Sequence, residues 1–194
     1  MDPIRVAGEF MVESHNRGTQ RHPELAAVQG GFVVAWTDDA VPFCEVGGPD
    51  VRAKVFSWTG DTLVREFLVN SETIDHQRDA KIAGVADGGY VLVWQDFSGR
   101  GGDDSGGIKA KIFDGQHRLV RDEFLVNSDT EDRQFNAYVA ALDGDDFVVP
   151  GRPVTAAPLA SRRACLRRTD GRAAPSSLSA TIRKDGKITL WWLP

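Results

Sequence analysis

A loop rich in aspartate and glycine, residues 96–107, is the part of the sequence best suited to chemistry. Its carboxylates are Asp96, Asp103 and Asp104, and the glycines between them let backbone carbonyls turn toward a common centre. Ca²⁺ prefers about six to eight oxygen ligands on a flexible loop. The loop therefore predicts a calcium site, although its spacing fits neither the EF-hand nor the glycine-rich nonapeptide. The alternative is a solvated acidic loop, because Asp and Gly are also good turn formers.

No other residue set has the spacing of a catalytic or metal centre. Gly-x-Ser-x-Gly, a phosphate-binding glycine loop and His-Glu-x-x-His are all missing from the sequence. The histidines are predicted to be surface residues and the cysteines free thiols: His15, His22, His76, His117, Cys44 and Cys165. We therefore expect no catalytic residues and no enzymatic activity.

The elements that would position these residues recur at an interval of 57 residues. A Glu-Phe-hydrophobic-Val segment begins at Glu9, Glu66 and Glu123. The same interval separates Gln20, Gln77 and Gln134, and it separates the segment 52–56 from the segment 109–113. Several independent anchors in one register indicate a tandem repeat.

Each repeat is predicted to contain four short strands and no helix. The Glu66–Val69 segment is predicted to be the first strand, because Phe67 and Val69 share one face by two-residue alternation. A second strand follows around 81–85, and Asp87-Gly88-Gly89 is a hairpin signal. The segment 90–94 has the apolar and β-branched content of a buried strand, and 108–113 is predicted to be the last.

Four antiparallel strands in one repeat are typical of a β-propeller blade, so the predicted fold class is all-β. The units are predicted at about 8–64 and 65–121, with a partial unit at 122–149. Because a lone blade cannot bury both of its faces, three or more are expected to stack. Missing blades or other subunits would complete a ring. A stacked β-solenoid is the alternative, although its units are normally shorter.

The pattern resembles a bacterial tandem repeat over about residues 8–149. Its motifs are Glu-Phe-Leu-Val-Asn-Ser from Glu66, Asp-Gly-Gly-Tyr-Val-Leu-Val-Trp from Asp87 and Ile-Lys-Ala-Lys-Ile-Phe-Asp from Ile108. This repeat occurs in large secreted, haemolysin-type (RTX-like) calcium-binding and adhesin-like proteins. The resemblance implies a surface or extracellular location within a larger protein, although no N-terminal signal peptide is visible.

Two sets of recurring side chains are predicted to have structural roles. Trp36 and Trp94 end apolar runs and are expected in the core. The recurring glutamines Gln20, Gln77 and Gln134 are expected to bond backbone groups between blades.

The residues from Pro150 onward differ in composition from the repeats. The segment 150–194 holds nine Lys and Arg but only two acidic residues, whereas 1–149 holds 14 basic and 26 acidic residues. Where the third unit should continue with Trp-Gln, the sequence has Pro150-Gly151, and a shifted reading frame can encode the missing pair. Our hypothesis is a one-nucleotide deletion near codon 150. We also predict disorder over about 150–180 and a short strand within 187–193.

These features favour a non-enzymatic binding or structural module of a bacterial surface or secreted protein, stabilised by calcium. It would present blade loops to a protein or glycan ligand. The alternative is a small lectin whose blades form a ring by oligomerisation and hold glycans between them. Nucleic-acid binding and a membrane span are not expected, because no recognition motif and no long apolar run is present.

Overall fold

The computed structural model describes residues 9–14, 17–39, 47–104, 106–128, 130, 133–142, 146–153, 178–182 and 188–192. Within these ranges every regular element is a β-strand, and there is no helix with the length and hydropathy that crossing a membrane requires. The first sheet is an antiparallel meander of β1 (Gln20–Val28), β2 (Gly31–Asp38), β3 (Asp50–Ser57) and β4 (Thr62–Leu68). Side chains alternate between its two faces, so Val33 and Ala35 of β2 lie opposite Val34 and Trp36.

The second sheet repeats this meander. Its strands are β5 (Gln77–Gly84), β6 (Tyr90–Asp96), β7 (Gly107–Phe113) and β8 (Leu119–Leu125). The predicted hairpin joins β5 to β6. Gly88 has φ 82°, and Asp87 Oδ1 accepts a hydrogen bond from the Gly89 N–H at 2.9 Å. The predicted all-β fold of four-stranded antiparallel blades is confirmed.

The strand that contains Phe67 belongs to a different blade from the one predicted. It is the fourth strand of the first sheet, and Phe124 likewise lies in the fourth strand of the second. The segment 108–113 is a third strand, and residues 9–14 lie outside any strand. The prediction that Glu-Phe-Leu-Val begins each blade is therefore wrong. A period of 57 residues fixes the repeat length but does not say where a sheet begins.

A third sheet combines the partial repeat with parts of the tail. Its strands are β9 (Gln134–Phe135), β10 (Ala140–Ala141), β11 (Phe147–Pro153), β12 (Leu178–Ile182) and β13 (Ile188–Trp192). Both β9 and β10 pair with β11, so they form one interrupted first strand. The strand predicted within 187–193 is confirmed as β13. The disorder predicted over about 150–180 is wrong for residues 150–153 and 178–180, because they lie in the paired strands β11 and β12. Residues 154–177 lie outside the described residues.

The hydrophobic core lies mainly between the sheets. The first interface joins Val33, Ala35, Val51, Ala53 and Val55 of the first sheet to Tyr90, Leu92, Trp94 and Phe113 of the second. The second interface joins Val91, Val93, Ile108 and Ala110 of the second sheet to Ala137, Phe147 and Val149 of the third. Burying an aliphatic or aromatic side chain contributes about 1.5–3 kcal/mol. Stacking between sheets is therefore a major source of stability.

The first and second sheets approach closely where β1 lies beside β5. The Gln29 N–H donates to the Gly88 carbonyl at 2.9 Å. A Cβ on Gly84 would lie 2.1 Å from the carbonyl oxygen of Ala27, so only glycine fits there. β5 also neighbours β10 of the third sheet. We call the edge formed by β1, β5 and the interrupted strand β9–β10 the first-strand edge.

Candidate functional site

Each strand of the first-strand edge contains one residue with positive φ. The angle is 50° at His22, 56° at Asp79 and 51° at Asn136, and these residues are 57 positions apart. The pairing of β1 with β2 shifts in register at His22, and the pairing of β5 with β6 shifts at Asp79. Each shift marks a β-bulge. His, Asp and Asn are enriched among non-glycine residues with this conformation. The repeat thus keeps the backbone conformation while the side chain changes.

The bulges of the first two sheets bring their side chains together. His22 Nδ1 lies 2.7 Å from Asp79 Oδ1, and both side chains are accessible to solvent. The Asp79 N–H donates to Thr37 Oγ1 of the first sheet at 3.1 Å. The bulge of the second sheet is therefore held in place by contacts to the first sheet.

A second set of side chains occupies equivalent positions two residues further along. Glu24 and Lys81, 57 residues apart, form an ion pair between β1 and β5. Lys81 Nζ also lies 5.8 Å from the ring centroid of Tyr138, the next residue at the same interval. The Tyr138 ring is exposed. Side chains from three sheets thus meet at the first-strand edge.

We call these residues the edge cluster: His22, Glu24, Asp79, Lys81 and Tyr138. The cluster combines an imidazole, two carboxylates and an ammonium group, which together donate and accept hydrogen bonds. The exposed phenol ring adds an apolar surface with a polar tip. This combination suits a polar ligand that also has an apolar face.

Few features of the sequence indicate the edge cluster. His22 has no histidine one repeat away, so the sequence predicts only an ordinary surface residue there. The available signal was that the same repeat position holds His22, Asp79 and Asn136, three residue types that tolerate the left-handed conformation. A comparison of residue identities between repeats does not detect such a position.

The first predicted calcium ligand, Asp96, is buried at the end of β6. Its Oδ2 lies 3.0 Å from Lys109 Nζ. Its Oδ1 accepts hydrogen bonds from the Ser98 N–H at 2.9 Å and the Ser98 hydroxyl at 2.5 Å. Both carboxylate oxygens are thus engaged by protein groups.

The other two predicted ligands differ in environment. Asp103 is buried, with Oδ1 accepting from the Gly106 N–H at 3.0 Å and Oδ2 from Asn127 Nδ2 at 2.7 Å. Asp104 is exposed. Within the described ranges, no group of three or more His, Cys, Asp or Glu side chains is arranged to hold a metal ion. Calcium binding by Asp96, Asp103 and Asp104 stays a prediction.

Lys109 is the centre of a buried ion network. Besides Asp96, it contacts Glu123, with 2.7 Å between Nζ and Oε1. Burial alone would lower the pKa of Lys109, but the hydrogen bonds to Glu123 and Asp96 outweigh this effect and hold the pKa above its usual value. The first sheet holds the same acid–base–acid arrangement in Asp38, Arg52 and Glu66. The network recurs as part of the blade itself.

The recurring tryptophans and glutamines have structural positions. Trp36 and Trp94 are buried, which confirms their prediction as core residues. Gln77 Nε2 donates to the Ile74 carbonyl at 2.9 Å, and Gln20 makes the equivalent bond at 2.7 Å. The acceptor lies three residues upstream, in the connection that enters the blade, and not on a neighbouring sheet. The prediction of a backbone partner is correct, but the bond does not cross the interface.

Comparison with known proteins gives structural but not sequence relatives. No model of a protein family matches the chain, and no curated protein matches its sequence. The structure is similar to an α-L-arabinofuranosidase from Lactobacillus brevis, with a TM-score of 0.51 and 9% identity, covering 92% of this chain and 57% of that chain. It is also similar to a subtype N10 neuraminidase-like protein of A/little yellow-shouldered bat/Guatemala/060/2010, with a TM-score of 0.45, 12% identity, and coverage of 94% and 46%.

The chain spans 57% of the length of the arabinofuranosidase. At 9% identity this likeness shows the fold alone. With the four-stranded sheets described above, it shows an all-β architecture of the propeller type. At the first-strand edge, β5 neighbours both β1 of the first sheet and β10 of the third.

Proposed function

We propose that the chain is a non-enzymatic binding module, in which stacked blades present the edge cluster to a ligand. One observation supports this proposal above the others, namely the left-handed residue at the same position of three successive repeats. Such conformations cost of the order of 1–3 kcal/mol each, and they concentrate at functional sites. The bulges aim His22 and Asp79 at each other, and they leave Tyr138 exposed beside Lys81.

Carbohydrate is the ligand class that the edge cluster fits best. Sugar hydroxyls exchange hydrogen bonds with imidazole, carboxylate and ammonium groups, and the C–H face of a sugar packs on an aromatic ring. The cluster spans neighbouring sheets, as expected for a lectin that holds glycans between blades. The name of the arabinofuranosidase neighbour suggests arabinofuranosides as the first sugars to test. The resemblance to repeats of large secreted proteins supports a surface or extracellular location.

The test is binding of arabino-oligosaccharides and of a glycan array to the full chain, followed by calorimetry on the best ligand. His22→Asn keeps a residue that tolerates positive φ but removes the imidazole. We expect it to weaken binding about tenfold, which corresponds to about 1.4 kcal/mol. The matched control is His117→Asn, because His117 also has positive φ, 62°, but lies in the turn between β7 and β8.

Two results would count against the proposal. Equal loss of affinity in His22→Asn and His117→Asn would show that the edge cluster does not hold the ligand. Release of free sugar from the oligosaccharides, followed by chromatography, would show that the module is an enzyme.

A further inference from the structure

A pocket of about 500 Å³ lies against β3 and β4 of the first sheet. We call it the cationic pocket, and its lining residues are Ser14, Arg52, Lys54, Thr62, Arg65 and Glu66. Three of these side chains are cations and one is a carboxylate, so the lining carries an excess of positive charge. Because β4 is the edge strand opposite to β1, the cationic pocket is separate from the edge cluster.

The second sheet has balanced charges at the same place. The residue 57 positions after Lys54 is Lys111, and the residue 57 positions after Arg65 is an acid, Asp122. Lys111 Nζ lies 3.2 Å from Asp122 Oδ1, and it also donates to the Ser71 hydroxyl at 2.9 Å. In the first sheet, Arg65 therefore places a second cation where the second sheet has the counter-charge of its lysine.

The two cations of the first sheet do not have such a counter-charge. Within the part of the chain that the structure describes, no carboxylate lies at ion-pair distance from Lys54 or Arg65. Lys54 Nζ lies 5.1 Å from the ring centroid of Phe56. The carboxylate of Glu66 is engaged by other groups, because Oε1 lies 3.2 Å from an Arg52 nitrogen and Oε2 accepts from the Ser14 N–H at 2.7 Å. Like charges on neighbouring strands repel each other, so an anion between the two cations would stabilise this arrangement.

We propose that the cationic pocket binds a tetrahedral oxyanion, phosphate or sulfate, between Lys54 and Arg65. Ammonium and guanidinium groups donate charge-assisted hydrogen bonds to such oxygens, and the planar guanidinium can donate two parallel bonds. The hydroxyls of Ser14 and Thr62 line the same pocket and can donate to the remaining oxygens. The anion takes the role that the carboxylate of Asp122 has in the second sheet. This inference does not rest on the proposed ligand of the edge cluster.

The test is titration of the full chain with inorganic phosphate and, separately, with inorganic sulfate, at constant ionic strength and followed by NMR chemical shifts. We expect saturable shifts at Lys54 and Arg65, and the two titrations show which oxyanion binds more tightly. Arg65→Asp introduces the acid of the second sheet, so it should weaken binding at least tenfold. The matched control is Arg118→Asp, which makes the same change of charge at a 74% exposed arginine in the turn between β7 and β8. Its affinity should equal that of the wild type.

The second sheet provides the reciprocal experiment. Asp122→Arg removes the partner of Lys111 and places a cation beside it, so we expect a second oxyanion site with shifts at Lys111. The Asp122 side chain is 69% exposed, so the substitution leaves the core unchanged.

Three results would overturn the proposal. The first is a wild-type chain without saturable shifts at millimolar phosphate and sulfate. The second is equal weakening by Arg65→Asp and Arg118→Asp, because binding would then follow the net charge and not the pocket. The third is the absence of a new site in Asp122→Arg, because a pair of cations at this place would then not be enough to bind the anion.

Discussion

Replacing Lys109 by methionine removes the buried cation between Asp96 and Glu123. The lysine Nζ lies 3.0 Å from Asp96 Oδ2 and 2.7 Å from Glu123 Oε1. The side chain of Lys109 is 5% exposed and that of Asp96 is 2% exposed, so water cannot take over the role of the ammonium group. Methionine fills a similar volume and adapts to irregular space. The substitution therefore tests the charge and not the packing.

We expect Lys109→Met to reduce the free energy of unfolding by about 3–5 kcal/mol, because it leaves buried carboxylates without a counter-charge. For a chain of this size, 1 kcal/mol corresponds to roughly 2–4 °C in melting temperature. The expected decrease is then roughly 6–20 °C near neutral pH.

The same reasoning gives a pH dependence. The contacts to Glu123 and Asp96 hold the pKa of Lys109 above its ordinary value of 10.5. Stability from a raised pKa is complete below the unfolded value, and it is lost as the pH rises through the folded value. The difference between wild type and Lys109→Met should therefore be largest below pH 10.5 and should shrink in more alkaline solution.

The measurement is urea or thermal unfolding followed by circular dichroism, with Lys111→Met as the matched control. Lys111 lies on the same strand, but its partners are the Ser71 hydroxyl at 2.9 Å and Asp122 at 3.2 Å, whose side chain is 69% exposed. Such a pair contributes about 0–1 kcal/mol. If Lys109→Met loses no more stability than Lys111→Met, the buried network does not stabilise the blade and the reasoning is refuted.

Three further outcomes follow from single positions. Gly84→Val should strongly destabilise the chain in the same unfolding assay, because the valine Cβ alone would lie 2.1 Å from the Ala27 carbonyl oxygen. If the variant were as stable as the wild type, β1 and β5 would not be adjacent. Tyr90→Phe should melt at or slightly above the wild-type temperature, because the buried hydroxyl has no hydrogen-bond partner among the described residues and the equivalent positions are Phe32 and Phe147; a loss above about 2 kcal/mol would contradict this. If the 96–107 loop binds calcium, saturation to about 100-fold above the dissociation constant should add about 2.7 kcal/mol of stability over EDTA, and Asp104→Asn should reduce the gain; identical melting curves with calcium and EDTA would reject the site.

The repeat and its strands could be predicted because their signals are local. The 57-residue interval, the Asp87-Gly88-Gly89 turn and the apolar run at 90–94 each depend on a few neighbouring residues. The starting point of each sheet could not be predicted in the same way. Phe67 of the first sheet contacts Phe113 of the second sheet. Because this contact recurs in each repeat, the sequence pattern is the same whether the strand with Phe67 belongs to the first sheet or to the second.

The edge cluster depends on β-bulges and on contacts between sheets, neither of which can be identified from a single sequence segment. A bulge inserts a residue and redirects side chains, but it is set by the pairing of two strands and not by one segment. Glu24, Lys81 and Tyr138 share a repeat position yet differ in charge and size. Their proximity becomes apparent only when the sheets are stacked, because each residue comes from a different sheet.

Asp103 has a structural explanation that becomes clear when the two blades are compared. In the first sheet, Asp50 accepts a hydrogen bond from Asn70 Nδ2 at 2.7 Å. The equivalent of Asp50 is Gly107, which has no carboxylate, and Asn127 instead donates to Asp103 at 2.7 Å. In the second sheet, the carboxylate oxygen that accepts from the asparagine therefore comes from Asp103 in the 96–107 loop and not from the strand position equivalent to Asp50.

The glycine and the amide make this replacement possible. A Cβ on Gly107 would lie 2.9 Å from Asp103 Oδ2, so glycine leaves room for the incoming carboxylate. Asn127 Oδ1 in turn accepts from the Ile108 N–H at 2.8 Å, as Asn70 Oδ1 does from the Val51 N–H at 2.8 Å. Calcium at Asp103 would bind a carboxylate that already accepts a hydrogen bond from Asn127. A calcium-loaded loop would therefore either leave Asp103 out or share its carboxylate with the Asn127 amide that orders the start of β7.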